Sequence, residues 1–509
     1  MKPQQLLNEA TLQHVLESLQ DHVRCARSSL PAITAIAVAI ASSVVLTLGG
    51  CASSAGIAPI AQTIAPASVG LDANAATGAV PLAADWWHAF GDSTLDGLVE
   101  RALAGNPSLK VAQARLERAQ AAIAGAQSAD GLKVNGEFDA TRQRFSKNGI
   151  YPPPLGGGIF TIGTAQIGAS YDFDFFGRNR AAIEAAIGAQ RAAQADVQAA
   201  RIVLASNVAR TYVQLGRLFE QREVAARALK QRDETLSLIR QRVSGGLDTN
   251  VELRQGEGLL PESRQQIEQL DEQIALARHT LAALTAQAPN ALDALVVPLQ
   301  SVQAVAVPDT LPADLLGRRA DIAAARWRIE AATSDVKNAK ASFYPNINLT
   351  AFVGLNAIGL DRLVRSGSEQ YGIGPALTLP IFDAGRLRAN LRGKTADLDA
   401  AIESYNGAVL DAVHDVADQI SSVRSIARQQ AEQAKAQAAA ESAYDLATQR
   451  YKAGLGTYLT VLNAESTVLN QRRLATDLKA RALDVQIALI RALGGGYTEP
   501  ITQTAAAGQ

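Results

Sequence analysis

The chain is poor in the residues that build cross-linked or reactive sites. Its 509 residues include 2 cysteines, 1 methionine and 5 histidines. Cys25 and Cys51 flank one apolar stretch near the N-terminus, so the rest of the chain holds neither a disulfide framework nor a cysteine metal site. The histidines (His14, His22, His88, His279 and His414) are scattered, and no two stand at i, i+4. No metal is expected. An excess of one charge is also missing: 48 Lys+Arg against 49 Asp+Glu leave a net charge of −1, which excludes the strongly basic face that nucleic acid rewards. Aromatics are only 5% of residues, few for the cores of a compact enzyme. Gly156-Gly157-Gly158 lacks the Lys-Ser/Thr of a phosphate loop, and no nucleophile–base constellation appears. The chain reads as a non-enzyme with no cofactor.

What is abundant is alanine, with glutamine, arginine and leucine. Alanine is the best helix former and lets helices pack closely. Near the N-terminus, Arg24 and Arg27 precede an apolar run from Leu30 to Leu48, followed by Gly49-Gly50-Cys51. A basic stretch, an apolar stretch and small residues before a cleavage point form a secretory signal. Leu48-Gly49-Gly50-Cys51 is similar to a bacterial lipobox, which implies a lipid on Cys51, and Ala52 after it implies sorting to the outer membrane. Residues 1–50 are read as a signal peptide with an unusual N-terminal extension, and residues 51–84 as a lipid-anchored tether rich in Ala, Ser, Gly and Pro.

The chain then repeats itself. Arg242-Val-Ser-Gly-Gly-Leu-Asp-Thr249 aligns with Arg450-Tyr-Lys-Ala-Gly-Leu-Gly-Thr457 at an offset of 208, and Glu257 aligns with Glu465. Asn106-Pro-Ser-Leu109 sits where Arg319-Ala-Asp-Ile322 sits in the second copy. Repeat 1 (85–300) and repeat 2 (301–496) share one order, and 497–509 form a flexible tail. Each repeat begins with a helix (92–129 and 313–342). Two strands follow: Leu132–Phe145 with Thr161–Phe175, and Asn346–Gly354 with Tyr371–Phe382. A very long helix comes next (178–243 and 385–452), then a glycine turn and a returning helix (251–286 and 458–493).

The long helices would each run roughly 100 Å, so they must pack lengthwise. Val197, Leu204, Val208, Leu215 and Phe219 follow an 11-residue rhythm. Val409, Val413, Val416, Ile420 and Val423 follow a heptad, as do Ile267, Leu270, Ile274, Ala277, Leu281 and Leu284. Pro261 should kink the first returning helix, where the second copy has Leu469. An ordinary coiled coil explains the stripes but not the strands. Four strands per chain cannot close a membrane barrel, whose smallest form has about eight. Three chains would supply twelve.

Several segments taken in order resemble the outer-membrane factor family of TolC- and OprM-like channels, most closely the NodT-type lipoproteins of resistance-nodulation-division efflux systems. They are Asp85-Trp86-Trp87-His-Ala-Phe90; Leu311-Pro312 through Arg318-Arg319-Ala-Asp321-Ile322; Phe343-Tyr344-Pro345-Asn346-Ile347; Leu379-Pro380-Ile381-Phe382-Asp383-Ala384-Gly385; and Tyr451 to Gly454 leading to Val461-Leu462-Asn463-Ala464-Glu465.

The resemblance implies a mainly α fold with a small β part. It implies a homotrimer whose twelve-stranded barrel in the outer membrane continues as a helical barrel in the periplasm, girdled near 287–315. It implies a passive duct for small toxic compounds, partnered by a periplasmic adaptor protein and an inner-membrane pump; a protein-secretion duct of the same fold and a pore-less periplasmic adaptor are the alternatives. The adaptor would dock on the turns at Gly246, Leu247, Gly454 and Leu455. A periplasmic gate would involve Tyr451, Thr460 and Asn463; family aspartates are replaced by Thr460 and Asn463, so a weak polar closure through Tyr451 and Asn463 is expected. Mass measurement of the protein purified in detergent should show a trimer with fatty acids on Cys51. A monomer that does not associate with membranes would contradict the duct.

Overall fold

The computed structural model describes residues 53–70, 82–304 and 315–499. The signal peptide and Cys51 lie outside the described residues, as do 305–314 and the tail beyond 499. Helices α1 (Ser93–Gly105), α2 (Pro107–Ser128), α3 (Arg178–Ser244) and α4 (Asn250–Leu284), with strands β1 (Lys133–Arg144) and β2 (Ile159–Asp172), form the first repeat. Helices α5 (Leu315–Arg318), α6 (Ala320–Ala341), α7 (Arg386–Lys452) and α8 (Tyr458–Ala492), with β3 (Asn346–Ile358) and β4 (Glu369–Thr378), form the second. The copies match in length: α3 and α7 have 67 residues each, α4 and α8 have 35 each, and both pairs start 208 positions apart.

The helix expected over 92–129 is broken at Asn106. Pro107 has no N–H to continue the ladder, and Asn106 Oδ1 accepts from Ser108 N at 2.9 Å, capping α2. The second copy breaks at the aligned Arg319. Strand β4 stops at Thr378, short of the expected Phe382, and β3 runs on to Ile358. Helix α4 passes unbroken through Pro261.

One unit holds 53–58, 130–180 and 336–395. Its core element is an antiparallel sheet in the order β1-β2-β3-β4, which leaves β1 and β4 as edges. Strand alternation sorts the side chains by face. One face carries Val134, Phe138, Ile167, Tyr171, Ile347, Leu349, Val353, Tyr371, Ile373 and Leu377; the other carries Asn135, Glu137, Asp139, Thr164, Gln166, Ser170, Asn348, Thr350 and Asn356. The apolar face is bare, with Phe138 68%, Tyr371 84% and Ile373 75% exposed. Water would not tolerate so large an apolar face, but a membrane would. The band from Ile347 to Leu355 spans nine residues. At about 3.3 Å each, tilted about 40°, it covers roughly 23 Å of height, close to the ~25 Å apolar band of membrane barrels. Below it lie Phe173 and Phe175, stacked at 5.6 Å, and Phe176 and Tyr344, stacked at 4.8 Å. Exposed aromatics of this kind sit at membrane–water interfaces.

The other unit holds 59–70, 82–129, 181–304, 315–335 and 396–499. Its main core joins α3, α4 and α8 through Leu204, Val208, Leu215, Leu270, Ile274, Leu281, Leu483 and Ile487, so the 11-residue and heptad stripes on α3 and α4 both face inward. The α7 stripe forms a second core from Val409, Val416 and Ile420 with Leu489.

Trp86, Trp87 and Phe90 anchor the segment before α1 in the main core, all three nearly inaccessible. Asp92 then ties that segment down. Its Oδ1 caps α1 by accepting from Thr94 N (2.9 Å) and Leu95 N (3.2 Å), and its Oδ2 accepts from the Tyr212 (2.9 Å) and Ser301 (2.6 Å) hydroxyls. Burial pushes this carboxyl up, but the hydrogen bonds outweigh it and hold Asp92 below the ordinary range. Its contribution to stability is present above pH about 4 and is lost as pH falls through the lowered value. Asp92→Ala should lower the unfolding free energy by roughly 2–4 kcal/mol, from the lost cap and the orphaned Tyr212 hydroxyl. Asp92→Asn should cost less, and thermal unfolding of the two variants checks both.

Candidate functional site

The two turns joining long to returning helices are built alike. Gly246 and Gly454 both have φ +73°, a left-handed conformation that favours glycine. Leu247 N donates to Arg242 O and Leu455 N to Arg450 O, each at 2.8 Å. These are Schellman closures, which satisfy carbonyls that the helix end would otherwise orphan. A Cβ at either glycine would meet nothing within 4 Å, so conformation and not space demands glycine. The following leucines are left in solvent, Leu247 68% and Leu455 71% exposed. One helical turn on, Val251 and Leu459 are exposed too, at 62% and 61%. Each tip therefore presents a matched pair of uncovered apolar side chains.

The tips differ in their polar groups. In the first, Thr249 and Glu252 form a capping box: Val251 N donates to Thr249 Oγ1 at 3.2 Å and Thr249 N to Glu252 Oε2 at 2.9 Å. In the second, Thr460 stands where the first has Glu252, and the Thr457 side chain makes no cap bond. Its Oγ1 lies 3.1 Å from Thr460 Oγ1 instead. Gly456 likewise replaces Asp248.

Asp248 is the centre of a cluster that joins the two copies. Tyr451, 1% exposed, donates its hydroxyl to Asp248 Oδ2 at 2.5 Å. Arg242 donates from Nε to Oδ2 (2.9 Å) and from Nη2 to Oδ1 (3.2 Å) of the same carboxylate. It also donates from Nη1 to Tyr451 O (3.1 Å), with its guanidinium 4.6 Å from the centre of the Tyr451 ring. Burial pushes Asp248 up, but the bonds from Arg242 and Tyr451 outweigh it and keep the carboxyl below its usual range. Burial and the Asp248 bond push the Tyr451 hydroxyl above its ordinary value. The cluster keeps one protonation state between pH about 4 and about 10.

Of the gate residues expected from sequence, only Tyr451 joins this cluster. Thr460 and Asn463 are exposed on α8, and the Asn463 side chain has no hydrogen-bond partner among the described residues. Asp248 and Arg242 were missed as a pair. The available signal was an acid six residues beyond an arginine, across a turn that brings them face to face.

Further along, α3 and α8 are joined by Arg232 with Glu465 (3.0 Å), Arg217 with Asp477 (3.0 Å) and Arg210 with Asp484 (2.6 Å). Arg232 also donates to Ser263 Oγ on α4 at 2.9 Å. Glu465 is 4% exposed, and burial raises it despite Arg232. Its sign is therefore opposite to that of Asp248: its contribution is fullest below pH about 4.3 and falls as pH rises through the raised value. Arg232→Ala should destabilise by roughly 3–5 kcal/mol by leaving that carboxylate unpaired, whereas Arg232→Met with Glu465→Leu should be near neutral, as measured by denaturant unfolding.

Among the described residues no group of three or more His, Cys, Asp or Glu side chains is placed to hold a metal, and no helix is long and apolar enough to cross a membrane.

Residues 98–287 and 311–495 match the model of the outer membrane efflux protein family. The chain is 34% identical over 458 residues to the multidrug resistance outer membrane protein MdtQ of Escherichia coli O6:H1, covering 87% of this chain and 96% of that one. It is 39% identical over 361 residues to the fusaric acid resistance protein FusA of Burkholderia cepacia, covering 69% and 68%. Among solved structures, the outer membrane protein VceC of Vibrio cholerae aligns with a TM-score of 0.77 at 37% identity, over 82% of this chain and 99% of that one. The outer-membrane channel OprN aligns with a TM-score of 0.77 at 27% identity, over 88% and 98%. The chain therefore belongs to the outer membrane efflux protein family, the channels through which exported compounds cross the outer membrane.

Proposed function

We propose that three copies of this chain form the duct of a tripartite efflux system, passing small toxic compounds outward without chemical change. The observation that carries the reading is the sheet: it has one bare apolar face, one polar face and two unpaired edges, β1 and β4. Open edges are not tolerated in lipid. Pairing β1 of each copy with β4 of the next removes them all and turns the polar faces toward a shared lumen. The names of MdtQ and FusA, which refer to multidrug and fusaric acid resistance, favour small organic toxins as cargo.

In this reading a lipid on Cys51 adds an anchor in the outer membrane. The tips Gly246-Leu247 and Gly454-Leu455 receive the helical hairpins of a periplasmic adaptor, which links the duct to an inner-membrane pump; Val251 and Leu459 widen both apolar knobs. The gate lies at the same end. Tyr451, held by Asp248 and Arg242, ties the copies within a subunit, and the exposed Thr460 and Asn463 are free to meet a neighbouring subunit.

Two tests separate these roles. Leu247→Asp with Leu455→Asp should restore drug susceptibility to that of a strain lacking the channel, with unchanged amounts of trimer in the membrane; unchanged resistance would remove the tips from docking. Asn463→Ala should raise single-channel conductance in bilayers, and a wild-type value would remove Asn463 from the gate.

A further inference from the structure

The sheet exchanges its two faces at the end that carries the hairpin loops. Over most of its length β1 points Val134, Phe138 and Ala140 to the apolar side, but its last two residues on that side are Arg142 and Arg144, opposite Thr161 and Ile159 of β2. The polar side changes in the opposite sense. There Phe160, Ile162 and Ile358 share a face, and Phe145 is buried beside Tyr151 (4.7 Å) and Phe160 (6.1 Å). A sheet inverts its polarity in this way where it leaves hydrocarbon for a polar layer.

Arg142 and Arg144 are exposed, and neither forms an ion pair among the described residues. The register places one acid, Glu369, on the outward side of the four strands, and its carboxylate already accepts from Gly367 N at 2.7 Å. The loop acid Asp361 faces Arg365 at 3.3 Å. Two guanidinium groups about 7 Å apart along one strand are thus left uncompensated at the rim of an apolar band. Arginine's planar fork suits phosphate.

We propose that Arg142 and Arg144 bind the phosphates of a phosphorylated glycolipid in the outer leaflet, its acyl chains lying on the Val134–Phe138 face below. The site rests on the reading of the sheet as part of a membrane barrel. The hairpin loops, at the opposite strand ends from the connections to α2, α3, α6 and α7, then lie in the outer leaflet, where the acyl chains and phosphates of such a lipid match the apolar band and its basic rim.

The test uses the full-length protein purified in detergent and native mass spectrometry with three probes: lipid A, lipid A stripped of both phosphates, and inorganic phosphate as competitor. Wild type should retain lipid A and not the stripped form, and inorganic phosphate should displace little of it. Arg142→Gln with Arg144→Gln should weaken retention about thirtyfold while the trimer persists. Equal retention of the two lipids, or retention unchanged in the double variant, overturns the proposal. So does partial loss of the trimer in both the arginine variant and Glu369→Gln, with lipid A retention by the remaining trimers unchanged, which would mean that the arginines pair with Glu369 of the next subunit. Failure of the wild type itself to form trimers would instead overturn the barrel.

Discussion

Everything in the helical unit depends on the antiparallel seam between α3 of the first copy and α8 of the second. Helices in proteins owe most of their stability to packing of an apolar face, and α3, 67 residues long and striped along its length, needs partners from end to end. Leu204, Val208 and Leu215 supply one side of that contact and Ala480, Leu483 and Ile487 the other. The charges beside the seam play a different part. Arg210 and Arg217 on α3 meet Asp484 and Asp477 on α8, both pairs seven residues apart, so they fit in a single antiparallel register. Pairs this exposed add little stability, and their main consequence is to disfavour a slip of one helix along the other. Arg232 with Glu465 is costlier, because the carboxylate is buried.

At the end of this seam the two copies stop being equivalent. The glycine turns are the same to within a few tenths of an ångström in their hydrogen bonds. Yet one carries Asp248 and a complete capping box, and the other carries Gly456 and an uncapped Thr457. The first turn is thus self-sufficient and its acid reaches across to Tyr451. The second lacks an acid of its own. A duplicated unit has become the acceptor, Asp248, and the donor, Tyr451, of one cross-copy tie.

Most of this architecture was legible in the sequence because it follows from periodicity. The offset of 208 predicted equal long helices, and the alternation from Asn346 onward predicted a two-faced strand. The break at Asn106 was readable too, since Pro107 has no N–H, but the helical pattern on both sides obscured it. The site was less legible. Tyr451 stood out, but its partners Arg242 and Asp248 lie on another helix and beyond its turn, and no local pattern pairs residues 203 positions apart. Thr460 and Asn463 were read by position alone, and position does not reveal that both side chains face solvent.

The Asp248 tie to Tyr451 and Arg242 holds the tips of the two copies together. Single-channel recording of the full-length protein in planar bilayers at neutral pH, comparing wild type with Asp248→Asn, addresses it most directly. The amide keeps the shape of the side chain but removes the charge that both partners grip. Asp248→Asn should show longer openings and a higher mean conductance. Traces indistinguishable from wild type would contradict it.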